Sequence, residues 1–463
     1  MTRAALSLAV VLAGAAHARA ADLTVGFGET DITPAVGKQP VFLAGFGQNR
    51  KATSVHDPLF ARALVLADGE VKVALVSVDV VGLFLPFVES VREKLPGFKY
   101  VLVSATHNHE GPDTLGLWGP NPLSSGVDRD YLAKVQAGCV AAVLAADKAR
   151  APAAARISTA RAPELIRDTR LPEVKHDELV ALRFEHPKTA APLGVVVQWN
   201  CHPEVLDSTN TAVTADFVGY TVGHLRKSQK CPVVYFTGTV GGLMTTLRLP
   251  VKSEAGVELK DGTFEKADRY GTLVGRVADA ALAKAVPLTL TPFDVRTRAV
   301  LVPMDNPVYR LGYQLGTLKR PIYEWAGDPT PKAMAATASL EKPVAAKTEV
   351  GYLRFGELEV AAIPGEIYPE LVLGKVVTPA EKGADFPDAP AEPAVYEQMR
   401  GKHKMLIGLA NDELGYFVPK RQWDEKEPFC YGRKSAQYGE LNSVGPETAP
   451  ILCETFRRLA QGK

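Results

Sequence analysis

Two histidines separated by one residue stand where a hydrophobic segment of the chain ends. Residues 100–104, Tyr-Val-Leu-Val-Ser, predict a buried strand, and residues 106–112 follow it with the sequence Thr-His-Asn-His-Glu-Gly-Pro. Imidazole is a common metal ligand, above all for zinc, and it also titrates near neutral pH. His107 and His109 therefore indicate a metal site or acid/base chemistry, although isolated histidines more often belong to the surface or the core.

Three further donor side chains follow segments that also predict buried strands. The donors are His202, Glu366 and Tyr416, and the segments are residues 194–199, 358–363 and 406–410. Because ligands of α/β proteins bind beyond the carboxyl ends of strands, we expect these groups to converge although they are far apart in the sequence. Two imidazoles and a carboxylate, with one position left for water, are the ligands of many zinc hydrolases.

Several of these residues also have ordinary interpretations. Glu366 could cap a helix beginning near residue 367, and Tyr416 could be a core or hydrogen-bonding tyrosine. Cys201 is more typical of the core than of a soft metal ligand. Asp79, at another strand end, could orient a ligand imidazole or only bridge locally. The remaining histidines are interpreted as non-catalytic: His56, His176, His186, His224 and His403.

The elements that would position these groups mix strands and helices. Residues 61–67 and 71–81 predict an antiparallel hairpin, and Asp128 can cap a helix over about 129–146. A connector rich in Ala, Pro and Arg is expected over about 150–163. This mixture predicts an α/β (mixed α+β) fold, a layered domain with mixed parallel and antiparallel sheets and the metal site at the C-terminal ends of strands.

The later part of the chain contains a second capped helix and an aromatic segment. Asp216 can cap a helix. Residues 309–325 are aromatic and basic, and residues 326–347 are rich in Ala, Pro and Lys, which predicts a surface excursion that could act as a lid. Five aromatic side chains could line an acyl or aryl pocket or simply pack: Trp118, Tyr309, Tyr313, Tyr323 and Trp325.

The near balance of positive and negative charges argues against a nucleic-acid partner. The 463 residues carry 53 Lys and Arg against 52 Asp and Glu, so no overall field favours nucleic acid. Five cysteines, an odd number, argue against a disulfide scaffold, although one bridge could form. No segment predicts a transmembrane anchor, and peripheral membrane contact and the oligomeric state stay open. Residues 4–16 and the Ala-Arg-Ala at 18–20 predict a signal peptide over residues 1–20 and a secreted or periplasmic protein.

Taken together, the motifs resemble those of the neutral/alkaline, non-lysosomal ceramidases. Residues 106–112 are similar to that family's Thr-His-x-His-Ser-Gly-Pro segment. Its other landmarks are matched in order by residues 31–34, 61–63, 77–79, 364–366 and 411–416. The resemblance implies one ceramidase-like zinc hydrolase domain over residues 21–463, without the C-terminal β-sandwich that many members carry.

The resemblance also implies a site and a reaction. It places the zinc ligands on His107, His202, Glu366 and Tyr416, and it makes His109 the neighbouring catalytic imidazole. We therefore expect a secreted Zn²⁺-dependent enzyme that cleaves a linear amide of an N-acyl, ceramide-like lipid by metal-activated water, or less readily an ester. His109 would act as general base or hold the carbonyl. Tyr416 would bind the metal as phenolate or donate a hydrogen bond to the developing oxyanion.

Two positions depart from the family's pattern. The family's Gly-Asp-x-Ser-Pro segment, whose serine is proposed as nucleophile, aligns best with residues 241–245, where Met244 replaces the serine. A thioether has no proton to lose, so either Thr245 or Thr246 substitutes or metal-activated water attacks. Glu110 replaces a serine beside the histidines and is expected to add negative charge near the site.

Two other hypotheses stay open. A metallo-β-lactamase-like hydrolase with two metals begins with a similar His-x-His motif, but it requires Asp and His where this chain has Glu110 and Gly111. A secreted binding protein for lipids or other ligands, on the same scaffold with the metal kept for structure, is favoured by Met244. The number of metals per chain and the presence of turnover would separate these hypotheses.

Overall fold

The computed structural model describes residues 23–331 and 341–463, which form strands β1–β21 and helices α1–α8. The strands are β1 Leu23–Asp31, β2 Ser54–Val55, β3 Phe60–Asp68, β4 Val71–Val78, β5 Tyr100–Ala105, β6 Ala151–Pro152, β7 Ala154–Arg161, β8 Glu178–Glu185, β9 Pro192–Trp199, β10 Ala212–Val213, β11 Val233–Thr237, β12 Val251–Lys252, β13 Glu258–Leu259, β14 Val286–Leu288, β15 Phe293–Pro303, β16 Ile322–Glu324, β17 Val344–Phe355, β18 Leu358–Ala362, β19 Glu366–Ile367, β20 His403–Ile407 and β21 Tyr416–Phe417. The helices are α1 Leu85–Arg92, α2 Arg129–Lys148, α3 Asp216–Gln229, α4 Phe264–Leu282, α5 Pro307–Leu315, α6 Pro369–Leu373, α7 Val395–Gln398 and α8 Thr448–Ala460.

Most strands belong to three sheets of mixed direction. The first sheet has the order β5-β4-β3-β1-β6, the second β11-β9-β8-β7-β14, and the third β15-β17-β18-β20 with β16 on β17. Antiparallel pairs dominate, but each sheet also contains a parallel pair, namely β4–β5, β9–β11 and β18–β20. The predicted mixed α/β fold with parallel and antiparallel sheets is therefore confirmed.

The three sheets share a hydrophobic core. Leu66 of the first sheet, Phe184 of the second and Leu353 of the third belong to one cluster of buried side chains. The opposite faces are covered by helices, with α1 and α2 on the first sheet, α3 and α4 on the second and α8 on the third. Because the central strands are covered on both faces, their sequences are nearly continuous hydrophobic runs.

The predicted hairpin and first long helix are present. β3 and β4 pair antiparallel, as expected for residues 61–67 and 71–81. Asp128 caps α2, because its carboxylate accepts hydrogen bonds from the backbone amides of Asp130 and Tyr131 at 2.9 and 3.3 Å. The second predicted cap is displaced by one position, since Asp216 is the first residue of α3.

The connector predicted over residues 150–163 is wrong. Most of it forms β7, which pairs with β8 and β14 in the second sheet. Ala155 and Ile157 of this strand are buried, whereas Arg156 between them is partly exposed. The small alanine side chains concealed this alternation, because a period of two is read from the contrast between large apolar and polar residues.

The surface excursion predicted over residues 309–347 contains regular structure, and none of the residues of its helix is buried. α5 begins there with Pro307, and the side chain of Asn306 caps it through hydrogen bonds to the amides of Val308 and Tyr309. β16 then pairs with β17. Within the excursion, which was also predicted as a possible lid, positions 332–340 lie outside the described residues.

Three further sequence predictions concern the ends of the chain, its cysteines and the membrane. The predicted signal peptide, residues 1–20, lies outside the described residues. Within the described part of the chain, none of the helices has the length and hydrophobicity needed to cross a bilayer. All five cysteines are buried free thiols, so the disulfide that could have formed is absent from the structure.

Candidate metal centre

Strands of all three sheets bring the predicted donors to one place. His107 follows β5, His202 follows β9, and Glu366 lies shortly after β18 at the start of β19. β19 pairs in parallel with β21, and Glu366 and Tyr416 are direct partners in that register. Four side chains from distant parts of the sequence therefore meet at the carboxyl ends of the strands.

The donor atoms of these side chains face one another at short range. Nε2 of His202 lies 2.9 Å from Oε2 of Glu366, and Nε2 of His107 lies 3.3 Å from the same oxygen. The hydroxyl of Tyr416 is 3.3 Å from Nε2 of His202. All four side chains are buried. Two nitrogen and two oxygen donors are thus available for a four-coordinate metal ion.

Backbone carbonyls hold the far side of both imidazoles. Nδ1 of His107 lies 2.7 Å from the carbonyl oxygen of Val81, and Nδ1 of His202 lies 2.9 Å from that of Met244. A carbonyl can only accept, so each Nδ1 must carry the proton and donate it. Each Nε2 then faces Glu366, where it donates to the carboxylate when the ring is protonated and offers a lone pair to a metal ion when the ring is neutral, which is the usual arrangement behind a metal-binding histidine.

Glu366 and His202 stabilise each other's charged forms. Burial would raise the pKa of Glu366, but the charge of His107 and hydrogen bonds from both imidazoles outweigh it and hold the pKa well below its usual range. Burial would likewise lower the pKa of His202, yet its hydrogen bond to Glu366 raises it overall. The pocket therefore favours an anionic Glu366 beside positive charge, which a metal cation can also provide.

Tyr416 is a neutral phenol when no cation lies beside it. Burial, and then the negative charge of Glu366, raises the pKa of Tyr416 well above its usual range. The hydroxyl can therefore donate a hydrogen bond. It would become a phenolate ligand only if a nearby cation reversed this shift.

His109 lies beside these donors in a different environment. Its ring packs edge-on against His107 and Phe46, and neither ring nitrogen has a hydrogen-bond partner among the described residues. Burial, together with His107 and His202, lowers the pKa of His109 well below its usual range. A carboxylate oxygen of Glu204 lies 3.6 Å from its Nδ1. His109 is therefore a neutral imidazole with both nitrogens free to react.

Gly45 makes room for this imidazole. The backbone there has φ +91°, and a Cβ atom at this position would approach the His109 ring to 2.3 Å. Both the positive φ and the close approach require glycine.

The three imidazoles also form a potential metal site by themselves. Ligand atoms of His107, His109 and His202 all lie within 4.8 Å of one another, the one such group found between residues 23 and 331 or 341 and 463. Two donor sets are therefore present. One contains three imidazoles, and the other contains two imidazoles with Glu366 and Tyr416.

The site opens onto an aromatic cleft. Of the aromatic residues predicted to form a pocket, Trp118, Tyr309 and Tyr313 line it, whereas Tyr323 and Trp325 do not. α5 supplies two of these side chains, so the segment predicted as a lid forms a wall of the cleft. The other lining residues include Phe84, Leu115, Leu318, Arg320, Glu413, Leu414 and Tyr438.

Met244 belongs to the hydrophobic core. Its side chain is fully buried in a cluster with Trp199 and Tyr235, and it does not line the cleft. Its carbonyl oxygen accepts hydrogen bonds from both the backbone N–H and Nδ1 of His202, each at 2.9 Å. This position therefore orients a candidate ligand through its backbone.

The two neighbouring threonines do not reach the cleft either. The hydroxyl of Thr245 donates to the carboxylate of Glu204, and that of Thr246 is buried without a partner among the described residues. Neither residue lines the cleft. Thr245 is connected to His109 only through Glu204, a residue that the sequence did not single out although it lies two positions after His202.

Two acidic residues have local roles. Glu110 accepts hydrogen bonds from Arg50 at 2.9 Å and Asn210 at 2.7 Å and does not line the cleft. Burial raises the pKa of Glu110 to about 8 against the opposing charge of Arg50. The negative charge expected near the site is therefore neutralised or paired. Asp79 bonds Arg62 at 2.7 Å, so its local interpretation is correct and it orients no candidate ligand.

The residues predicted to be uninvolved lie elsewhere. Cys201 is fully buried in the hydrophobic core, as expected. The five histidines interpreted as non-catalytic are absent from the cleft lining: His56, His176, His186, His224 and His403.

Comparisons with known proteins agree with the predicted resemblance. Residues 23–243, slightly under half of the chain, match the sequence model described as neutral/alkaline non-lysosomal ceramidase, N-terminal. No curated protein matches the chain in sequence.

Two solved structures have a similar fold. The neutral ceramidase from Pseudomonas aeruginosa superposes with a TM-score of 0.70 at 16% identity, over 95% of this chain and 74% of that one. A ceramidase complexed with C2 gives a TM-score of 0.68 at 15% identity, over 95% and 75%. At these identities the likeness shows the fold alone. The match to the sequence model is the finding that confirms the predicted resemblance.

Proposed function

We propose that this chain, whose residues 23–243 match the neutral/alkaline non-lysosomal ceramidase model, is a zinc-dependent hydrolase of a linear N-acyl amide. The observation that carries this proposal is the arrangement of His107 and His202 around Glu366. Both Nε2 atoms face one carboxylate oxygen, and both Nδ1 atoms are held by backbone carbonyls.

These donors suit zinc, which prefers nitrogen and oxygen ligands in tetrahedral sets. We assign the ligands to His107, His202, Glu366 and Tyr416 and leave His109 outside the set. The first two imidazoles have carbonyl acceptors behind them, whereas His109 has none. A zinc ion held there would supply a Lewis acid that polarises the amide carbonyl and lowers the pKa of water to about 7.

His109 acts as the general base in this proposal. Its pKa is lowered, so it is unprotonated at neutral pH and can take a proton from the attacking water at a free ring nitrogen. It then returns the proton to the amide nitrogen as the amine leaves. Glu204, held by Thr245, lies on the Nδ1 side of the ring, where it can stabilise the imidazolium.

The cleft supports water, and not a side chain, as the nucleophile. No serine, threonine or cysteine is among the residues that line it within the described part of the chain. Tyr416, in contrast, does line the cleft. Its phenol can bind the metal or donate to the oxyanion that develops as the carbonyl is attacked.

Replacing Met244 by serine tests this point. The new hydroxyl would lie in the core, so we expect no gain in hydrolysis and a loss of about 2–5 kcal/mol in the free energy of unfolding from the cavity left behind. Met244→Leu, which conserves volume, should cost less than about 1.5 kcal/mol. Denaturant unfolding and initial rates measure both effects. A faster Met244→Ser enzyme would mean that this position reaches the substrate.

The lining of the cleft and the match to the ceramidase family model both support a lipid-like substrate. The cleft walls are aromatic and aliphatic, which suits the hydrocarbon part of a lipid-like molecule. We therefore propose a lipid-like amide, with peripheral contact to a membrane or micelle. The predicted signal peptide over residues 1–20 supports a secreted or periplasmic location.

Product release from a panel of amides tests the proposed function. The zinc-loaded protein is incubated with N-acyl amines of increasing acyl length and the corresponding esters, and acid and amine are quantified by mass spectrometry. We expect equimolar release of both products from amides and slower release from esters. Binding of the panel without any product would instead favour the non-catalytic binding protein, and two metals per chain would favour the metallo-β-lactamase-like hypothesis.

A further inference from the structure

The direction of the His109 ring is set by packing, because neither of its nitrogens has a hydrogen-bond partner among the described residues. The ring lies against Gly45, where a Cβ atom would approach the imidazole to 2.3 Å. The ring of Phe46 meets it edge-on, with 5.3 Å between the ring centres. A group that transfers a proton must be held in a defined direction, so whatever fixes residues 45 and 46 also fixes His109.

One guanidinium group holds the backbone on both sides of this contact. Arg50 is buried, and its Nη2 donates hydrogen bonds to the backbone carbonyls of Ala44 and His109. Its Cζ lies 5.0 Å from the centre of the Phe46 ring. Arg50 therefore anchors the backbone of His109, the residue before Gly45 and the aromatic ring that packs on the imidazole.

A buried carboxyl group holds Arg50 in turn. Oε2 of Glu110 accepts a hydrogen bond from Nη1 of Arg50 at 2.9 Å and another from Nδ2 of Asn210 at 2.7 Å. Nη1 also donates to the backbone carbonyls of Asp207 and Asn210 at 3.3 and 3.4 Å. The guanidinium thus connects the surroundings of His109 to a distant segment of the sequence.

Stability alone does not explain a buried pair of this kind. Taking ionisable groups out of water costs about as much as their attraction returns, and hydrophobic replacements of similar volume are often neutral or stabilising. Arg50 and Glu110 are both buried, and neither lines the cleft. A planar guanidinium can, however, donate to several acceptors in fixed directions at once, which no hydrophobic side chain can do.

We propose that Arg50, held by Glu110, is a positioning residue for His109 and fixes the direction of its imidazole. This inference rests on the proposed function, in which His109 is the general base. Glu110 stands where the ceramidase motif has a serine, so this anchor distinguishes the chain from the family's pattern. A catalytic group that is displaced by about 1 Å can lose about 10²-fold in rate.

The variant Arg50→Lys tests this role while the positive charge is kept. An ammonium group can still pair with Glu110, but it lacks the planar fork that reaches the carbonyls of Ala44 and His109. The imidazole should then lose its fixed direction although the charge at this position is unchanged.

Arg62→Lys is a matched control. Arg62 is also buried, donates two hydrogen bonds of 2.9 and 2.7 Å to Asp79, and lies 4.9 Å from the centre of the Phe60 ring. It does not line the cleft. Each variant weakens one buried Arg–carboxyl pair that packs on a phenylalanine, so we expect similar losses of stability in thermal unfolding. A difference in rate then reports on His109.

Rates separate positioning from stability. In the zinc-loaded protein we expect Arg50→Lys to lower kcat by about 10–10²-fold, with one zinc per chain and a change in KM below about threefold. Arg62→Lys should keep kcat within about threefold of the wild type. Added to His109→Gln, Arg50→Lys should cause less than about a threefold further loss, because two residues that act through one group are not additive.

Glu110 provides a second pair of variants that does not depend on the folding of Arg50→Lys. In Glu110→Gln the side-chain oxygen can still accept from Nη1 of Arg50, whereas Glu110→Ala leaves the guanidinium without this anchor. We expect kcat of Glu110→Gln to stay within about threefold of the wild type and that of Glu110→Ala to fall as in Arg50→Lys. Equal rates for the two variants would contradict the role of Glu110.

The direction of the ring is also observed without turnover. Histidine labelled with ¹³C at Cε1 gives one NMR signal for each imidazole, and the signal lost in His109→Gln identifies His109. In Arg50→Lys we expect this signal to shift or broaden, because the ring adopts more than one direction, while the signal of His224 stays unchanged. In Arg62→Lys both signals should stay as in the wild type.

The two readouts distinguish this inference from the proposed function. A changed His109 signal in Arg50→Lys, without hydrolysis of any amide by the wild type, would refute the proposed function and leave the positioning role standing. The inference would be overturned if Arg50→Lys kept the wild-type signal of His109, if Arg62→Lys changed that signal equally, or if the losses of Arg50→Lys and His109→Gln simply multiplied.

Discussion

Replacing His107 by asparagine is expected to remove bound zinc and to lower amide hydrolysis by about 10³-fold or more. A metal ion contributes several kcal/mol of transition-state stabilisation, and each 1.36 kcal/mol is about a factor of ten in rate. His107 faces Glu366 with Nε2 and is anchored through Nδ1 to the carbonyl of Val81. An asparagine cannot reproduce both contacts.

Asparagine is chosen because of the backbone at this position. His107 has φ +66°, in the left-handed region, which asparagine tolerates better than most residues. The matched control is His224→Asn, which removes an imidazole that pairs with Asp279 away from the cleft. Metal content by mass spectrometry, initial rates and thermal unfolding are measured for both. A folded His107→Asn protein that keeps its zinc and its rate would contradict the ligand assignment.

Replacing His109 by glutamine is expected to leave one zinc per chain and to lower kcat by about 10²–10⁴-fold. This range is typical of the loss of a general base. His109 differs from the proposed ligands because no carbonyl holds its Nδ1 and both of its ring nitrogens are free. Its lowered pKa also places the acidic limb of the wild-type rate profile below pH 6.5, because the imidazole is protonated only there.

The same variant separates the two possible donor sets. If the metal were held by His107, His109 and His202, the loss of His109 would remove the zinc together with the activity. If Glu366 and Tyr416 complete the set, zinc stays and only the rate falls. Metal content and kcat of His109→Gln, measured on the same preparation, distinguish these outcomes.

The convergence of the candidate site could be predicted from the sequence because it depends on strand ends. His107, His202 and Glu366 each lie at or just after the end of a hydrophobic run. Such runs form the strands of the sheets, and the residues that follow the carboxyl ends of neighbouring strands lie close together. The fold class followed from the same patterns. The strand-end positions therefore indicated candidate residues, and the resemblance to the ceramidase motifs supplied the ligand assignment.

Side-chain directions and backbone partners could not be predicted in this way. Met244 turns into the core and Glu110 pairs with Arg50, because packing from distant elements decides which way each side chain points. The carbonyl of Val81, which accepts from Nδ1 of His107, could not be predicted because every residue has a backbone carbonyl.

A zinc titration of metal-free protein tests whether one zinc ion per chain is required for amide hydrolysis. Amide hydrolysis is followed while Zn²⁺ is added in known amounts to protein freed of metal by a chelator. We predict that the rate rises linearly and reaches its maximum at one zinc per chain, with no such response in His107→Asn. Full hydrolysis by the metal-free protein, or a maximum reached only at two zinc ions per chain, would contradict a single catalytic zinc ion.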